Sequence, residues 1–310
     1  MQAIFPLQYG FRLANGDFWS FYFSQDLIPW GKEFAQILGL KEDRSNNGNK
    51  FFFNSSRQTH YKELIGCTFP NWDAETYEIP YLSFVGLQTF LGLQIRHCPP
   101  LATYFCTLPE MDDVNHRLWY FHMMAALFPL YRKTMESGGL SLHAALIHHP
   151  DIGGIAILAP GGTGKTTCTQ RIPSPWSPLS DDIMLAVRTS QAEYYAHPLP
   201  TWSNLILGRS SQSIWPIEKY IDLKGLFFLQ QASTDKVIPL SKPDSAQWIY
   251  ESGMQVILSF INEMTIENQR KQKNLIFTNA CDLALQCPSF ILKTKHDGCF
   301  WEEIEKVFLT

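Results

Sequence analysis

Ile155-Ala156-Ile157-Leu158-Ala159-Pro160-Gly161-Gly162-Thr163-Gly164-Lys165-Thr166-Thr167 joins a short apolar run to a glycine-rich turn ending in Gly-Lys-Thr. The run Ile155 to Leu158 has the make-up of a buried strand. Gly161, Gly162 and Gly164 lack the β-carbon that would hold backbone N–H groups away from an anion, so successive N–H groups can converge on a phosphate. The residues from Lys165 onward open a helix, whose N-terminal end carries about half a positive charge. In this reading Pro160, Gly161, Gly162, Thr163, Gly164, Lys165, Thr166 and Thr167 form the nucleotide-binding segment. Lys165 supplies an ammonium for the β- and γ-phosphates and Thr166 a hydroxyl for magnesium, which predicts ATP and Mg2+ as cofactors. Position 159 is Ala where the consensus has Gly, and a small residue fits there. The competing reading is a strand-to-helix turn with no ligand.

Working outward, Leu140 to His148 alternates like a strand and is separated from the loop strand only by Asp151-Ile152-Gly153-Gly154. A parallel crossover needs a dozen or more residues, so the two strands form an antiparallel pair. Downstream, a short helix from Lys165 to Arg171 is cut off by Pro173, Pro175 and Pro178, and Leu179 to Val187 reads as a strand that begins with Asp181 and Asp182. Alternation along a strand sends neighbouring side chains apart, so the two carboxylates can serve different ends of one site. Phosphoryl transfer uses one carboxylate for magnesium and another to orient the attacking hydroxyl and take its proton. The plainer alternative is an N-cap or turn pair.

Leu142-His143-Ala144-Ala145, then Ala159 to Thr166, then Leu179-Ser180-Asp181-Asp182 resembles, in order and spacing, the catalytic domain of HPr kinase/phosphorylase. The chain also resembles the HPr-kinase-like proteins encoded beside peptide-modification genes, the SynChlorMet cassette group and the lasso-peptide kinases among them. These also show a segment like Ala196-His197-Pro198-Leu199-Pro200-Thr201-Trp202-Ser203, and the cassette proteins a hairpin like Leu13 to Trp19. The resemblance implies an α/β (α+β) fold with a mixed sheet, related to phosphoenolpyruvate carboxykinase. It makes Asp181 the general base, His143 the residue beside the transferred phosphoryl group, Lys165 the phosphate ligand, and Thr166 with Asp182 the magnesium side. The acidic-Arg-Gly signature of the phosphorylase reaction has no counterpart between residues 183 and 240.

The rest of the chain bounds this reading. Its 310 residues are 45% apolar, 14% aromatic and 17% charged, with a net charge of −4. That is a chain with a sizeable core, one large or two ordinary domains, and no basic excess for nucleic acid. The seven cysteines are odd in number and contain no CxxC pair, so they read as reduced thiols rather than a zinc site. The first residues do not form a signal peptide and no uncharged run is long enough for a membrane span, which predicts a cytoplasmic location. Asn15-Gly16 between aromatic runs predicts a hairpin, and Trp30 to Gly39 a helix with a glycine stop. An N-terminal α+β domain over residues 1–112, with a role in substrate recognition open to it, would precede a catalytic domain over 113–310 beginning with the helix His116 to Phe128. Residues 42–50 and 268–274 read as solvated connections, Leu223 to Gln230 and Ser289 to Lys293 as strands, and 244–266, 275–287 and 300–309 as helices.

Tyr194 to Asn204, extended by its prolines and rich in aromatics, is expected to wall an acceptor groove, with His197, Trp202 and Arg209 as acceptor-side residues. An aromatic loop sealing the sheet is the alternative. Together these readings describe an ATP-dependent kinase acting on a Ser or Thr hydroxyl of a small protein or ribosomally made peptide, with a homo-oligomer allowed and neither nucleic acid nor membrane as partner. Two other classes stay open: a non-catalytic ATP-binding or peptide-docking protein, and a small-molecule kinase of carboxykinase-like fold.

Overall fold

A computed structural model describes residues 5–43, 45, 48–55, 81–83, 92–98, 102–109, 116–209, 214–262 and 264–309. The chain divides into two compact units, residues 1–129 with 202–214, and residues 130–201 with 215–310. The expected boundary near residue 112 lies outside the described residues.

In the first unit β1 (Leu7–Arg12) and β2 (Phe18–Phe23) form the expected hairpin, with Arg12 opposite Phe18 and Gly16 at φ +91°, a backbone state that glycine adopts without strain. With β3 (Lys41–Glu42), β4 (Asn49–Ser55), β5 (Tyr81–Ser83), β6 (Gln94–Cys98) and β7 (Thr103–Leu108) they make a sheet of order β3-β1-β2-β4-β7-β6-β5 among the described residues. β2, β4 and β7 run parallel. The helix Ile28–Ile37 covers this sheet with Trp30 and Phe34, whose rings stack at 5.1 Å, while Phe23 stacks on Phe53 at 4.8 Å. All four side chains are almost wholly buried, so this is a core held by ring-on-ring packing. The predicted connection at 42–50 is shorter than expected, because β4 already begins at Asn49.

The second unit starts in the helix Phe128–Glu136, which the break at Leu127 separates from His116–Ala126. Its strands are β8 (Leu140–Leu142), β9 (Ala144–His149), β10 (Gly153–Leu158), β11 (Ser177–Ser180), β12 (Met184–Arg188), β13 (Tyr194–Pro198), β14 (Ile221–Gln231), β15 (Lys236–Pro239) and β16 (Ser289–Thr294). The sheet order is β11-β9-β10-β14-β13-β12-β8, with β16 on β14 and β15 on β16. β9 and β10 are the expected antiparallel hairpin, Gly153 opposite His149 and Leu158 opposite Ala144. β10 also pairs in parallel with β14, Ile155 opposite Gly225 and Leu158 opposite Phe228. The sheet is therefore mixed, as the α+β expectation requires. Ala145, Ile147, Ile155, Ile157, Phe227 and Leu292 meet in one buried cluster under the helix Phe300–Phe308.

Three expectations are corrected. Asp181 and Asp182 sit in a bend between β11 and β12 rather than on a strand, since the pairing of β11 with β9 ends at Ser180. Residues 268–274 are helical, part of Ile266–Gln286. Thr265 caps that helix by accepting from the Asn268 N–H, Glu267 pairs with Lys271 at 2.7 Å, and the Gln, Arg and Lys content favours a helix. Tyr194 to Pro198 is a sheet strand, not a loop, because its backbone pairs with β12 along its whole length. No helix of the described residues is long and apolar enough to cross a membrane.

Candidate functional site

The glycine segment occupies the turn between β10 and the helix Lys165–Arg171, the place the sequence assigned to it. Gly162 and Gly164 have φ +78° and +112°, so a side chain at either position would strain the backbone. A β-carbon built on Gly161, Gly162 or Gly164 meets no atom within 4 Å, which leaves open space over the backbone N–H groups. Thr163 ties the turn together by donating its hydroxyl to the Pro160 carbonyl at 2.9 Å, and the Gln231 amide donates to the Thr163 carbonyl at 3.2 Å from β14.

Lys165 is 6% exposed and folds back onto the turn, with Nζ 2.7 Å from the Ala159 carbonyl and 3.5 Å from that of Pro160. Burial pushes its ammonium below the usual lysine range, and the nearby Asp182 and Asp181 carboxylates oppose that shift. Thr166 and Thr167 are exposed at the head of the helix.

The bend after β11 sends the two aspartates to different partners, an outcome the strand argument expected for a different reason. Asp181 accepts a hydrogen bond from the Thr201 hydroxyl. Asp182 lies 3.5 Å from His143 Nε2. His143 itself stands at a break between β8 and β9, where β8 pairs with β12 while β9 pairs with β10 and β11. Its Nδ1 meets Gln255 Oε1, its backbone N–H donates to the Ser252 carbonyl at 3.3 Å, and the Ser252 hydroxyl donates to its carbonyl at 3.2 Å. Both ring nitrogens thus face oxygen atoms, and the ring is fixed from the helix Lys242–Ile261.

The structure accordingly groups Lys165, Asp181, Asp182 and His143 beside the glycine turn. The acceptor-side expectations fare differently. His197 is fully buried on β13, its Nδ1 2.6 Å from the Ile217 carbonyl and its ring against Tyr220. Burial pushes it down to about 4. Trp202 is also fully buried, in the helix Trp202–Ile206 of the first unit. Neither ring has surface left for an acceptor, so both are core residues. Arg209 is exposed just after that helix, its backbone N–H bonded to the Asn204 carbonyl at 2.8 Å.

Two cavities flank the turn. One of about 310 Å³ is bordered by Gly162, Thr163, Gly164, Thr167, Arg171 and His296. The other, of about 230 Å³, is bordered by Ala159, Pro160, Phe228, Trp248, Glu251 and Gln255. Sequence reasoning missed Thr201, Ser252 and Gln255, which reach the aspartates and the histidine from far along the chain. The one local signal was the spacing of Trp248, Glu251, Ser252 and Gln255, which sets them on one face of a helix.

A bound nucleotide fits what is present: bare glycine backbone, a cation beside it and open space on both sides. Among the described residues no group of three or more His, Cys, Asp or Glu is arranged to hold a metal by itself.

Fold and site define a mixed α/β protein with a glycine-rich turn between strand and helix and a paired-aspartate, single-histidine cluster beside it. The family model for SynChlorMet cassette protein ScmC matches residues 105–309, well over half of the chain, and the chain belongs to that family. This ties it to a peptide-modification cassette. No curated protein matches the chain.

Proposed function

We propose that the second unit is an ATP-dependent, HPr-kinase-like kinase that moves the γ-phosphoryl group onto a Ser or Thr hydroxyl of a small protein or ribosomally made peptide of its cassette. The observation that carries this reading is the grouping of Lys165, Asp181 and the Asp182–His143 pair beside an open glycine turn. Asp181 takes the proton of the acceptor hydroxyl, held in orientation by the Thr201 hydroxyl. As the acceptor oxygen bonds to Pγ, the bond from Pγ to the bridging oxygen breaks and its electron pair leaves with ADP. Lys165 and the turn N–H groups meet the charge that gathers there. Thr166 and Asp182 would hold a magnesium ion, which when bound would help neutralise the phosphates. His143, fixed by Gln255 and Ser252, stands beside the transferred group and orients Asp182.

Mass spectrometry of the cassette's peptides after incubation with Mg-ATP tests the proposal. One added phosphate on a serine or threonine is the expected result. Unmodified peptides together with steady turnover of a metabolite would overturn it in favour of a small-molecule kinase.

A further inference from the structure

The two cavities beside the turn have different polarity with respect to a nucleotide. Lys165 Nζ, the ligand expected for the terminal phosphates, lies against the Ala159 and Pro160 carbonyls, and those two residues border the 230 Å³ cavity. Gly162, Gly164 and Thr167 border the other cavity. Ser252 and Gln255, which hold His143, also border the 230 Å³ cavity, so on the kinase reading it is the one on the acceptor side.

The chemistry of that cavity is specific. Phe228, almost wholly buried, and Trp248, partly buried, meet edge to face at 5.0 Å and give it an apolar aromatic wall. Glu251, one turn further along the same helix, adds a carboxylate at an exposed position. Its Oε1 accepts from Gln247 Nε2 at 3.1 Å, which leaves most of the capacity of the carboxylate unused. No lysine or arginine is among the residues bordering the cavity, so an anionic metabolite would find a like charge and no counter-charge. The volume lies below the range of about 300–1,000 Å³ that holds a whole drug-sized ligand. An aromatic wall ending in a carboxylate, with room for one long side chain, suits a cation on an apolar stem.

We propose that this cavity receives a lysine or arginine side chain of the acceptor peptide, close to the residue that is phosphorylated, with its stem on Phe228 and Trp248 and its head on Glu251. The inference rests on the kinase reading, which makes Lys165 the ligand of the terminal phosphates.

Positional-scanning Ser/Thr peptide libraries, presented with Mg-ATP to the full-length wild type and to Glu251→Lys, give the test. Peptide binding to Asp181→Asn, in otherwise wild-type and Glu251→Lys backgrounds, is measured alongside without turnover. Wild type should favour Lys or Arg over Leu at one position near the hydroxyl by about fivefold, the scale of one exposed ion pair plus a cation–π contact. In Glu251→Lys the preference should pass to Asp or Glu at the same position. Phosphorylation without any basic preference, or a preference that Glu251→Lys leaves unchanged, overturns the cavity assignment and leaves the kinase reading standing. Binding that depends on Glu251 with no phosphorylation by wild type does the reverse. Neither binding nor phosphorylation sinks both.

Discussion

Two stretches of the second unit each carry a histidine, and they treat it in opposite ways. On β13 the His197 ring is sealed in the core, hydrogen-bonded to a backbone carbonyl and driven by burial to about 4. At the break between β8 and β9 the His143 ring is partly accessible, with Asp182 on one nitrogen and Gln255 on the other. In sequence both look like a polar residue inside an apolar run. The difference lies in the backbone: β13 is paired along its whole length, whereas the chain at His143 leaves one set of strand partners for another, and the ring there meets Asp182 and Gln255. A histidine in a continuous strand is built in, and one at a break is presented.

The presented histidine's surroundings respond most strongly to substitution. Asp181→Asn should lower phosphate transfer on the order of 10²–10⁴-fold while calorimetric ATP affinity holds, the scale of a lost general base. Transfer at wild-type rate would remove the aspartate bend from the chemistry.

At the sealed end the expected effect is on stability against pH. The unfolded imidazole titrates near 6.5 and the folded one near 4, so as pH falls below 6.5 the unfolded chain takes up a proton that the folded chain refuses. Stability should drop by roughly 3 kcal/mol between pH 7 and pH 4 on this account, and be flat above pH 7. His197→Asn keeps a donor for the Ile217 carbonyl and does not titrate, so denaturant melts across that range should show a shallower slope than wild type. Equal slopes would mean the ring is not sealed.

Lys165→Ala probes the loop between the two regions. ATP affinity by calorimetry should weaken between about 10- and 100-fold, the range for hydrogen bonds to a charged group, with the fold intact because the turn keeps its Thr163–Pro160 tie. Unaltered affinity would make the glycines a turn and nothing more. The smallest expected effect is at Thr201→Val, which removes the donor to Asp181 and keeps the volume. Its kcat should fall by up to about tenfold with ATP affinity unchanged. A change in ATP affinity with constant kcat would assign Thr201 to the nucleotide instead of the base.

What could be read from the sequence was what neighbours in the chain decide. The glycine turn, its helix from Lys165 to Arg171, the β9–β10 hairpin and the Asn15-Gly16 hairpin follow from local sterics, spacing and link length. The aspartates were found but set on a strand, since nothing local announces that β11 loses its partner at Ser180. The 268–274 stretch was misread because solvated charges serve a surface helix as well as a connection, and the deciding cap was Thr265. Thr201, Ser252 and Gln255 were out of reach for a different reason. Their importance lies in meeting residues up to 112 positions away, and no pattern along the chain records such a meeting.

The long strand β14 has a consequence for the order in which the protein assembles. β10 is flanked on one side by β9, its immediate neighbour in sequence, but on the other by residues 223–228, and β14 in turn leans on 289–294. Both of those contacts are parallel and span many residues, so their loop-closure entropy must be met before they return any stabilisation. During synthesis the glycine turn therefore leaves the ribosome long before β14, the parallel flank of its strand, does. Proteolysis of ribosome-bound chains should find β10 cleavable until residues 223–228 have emerged.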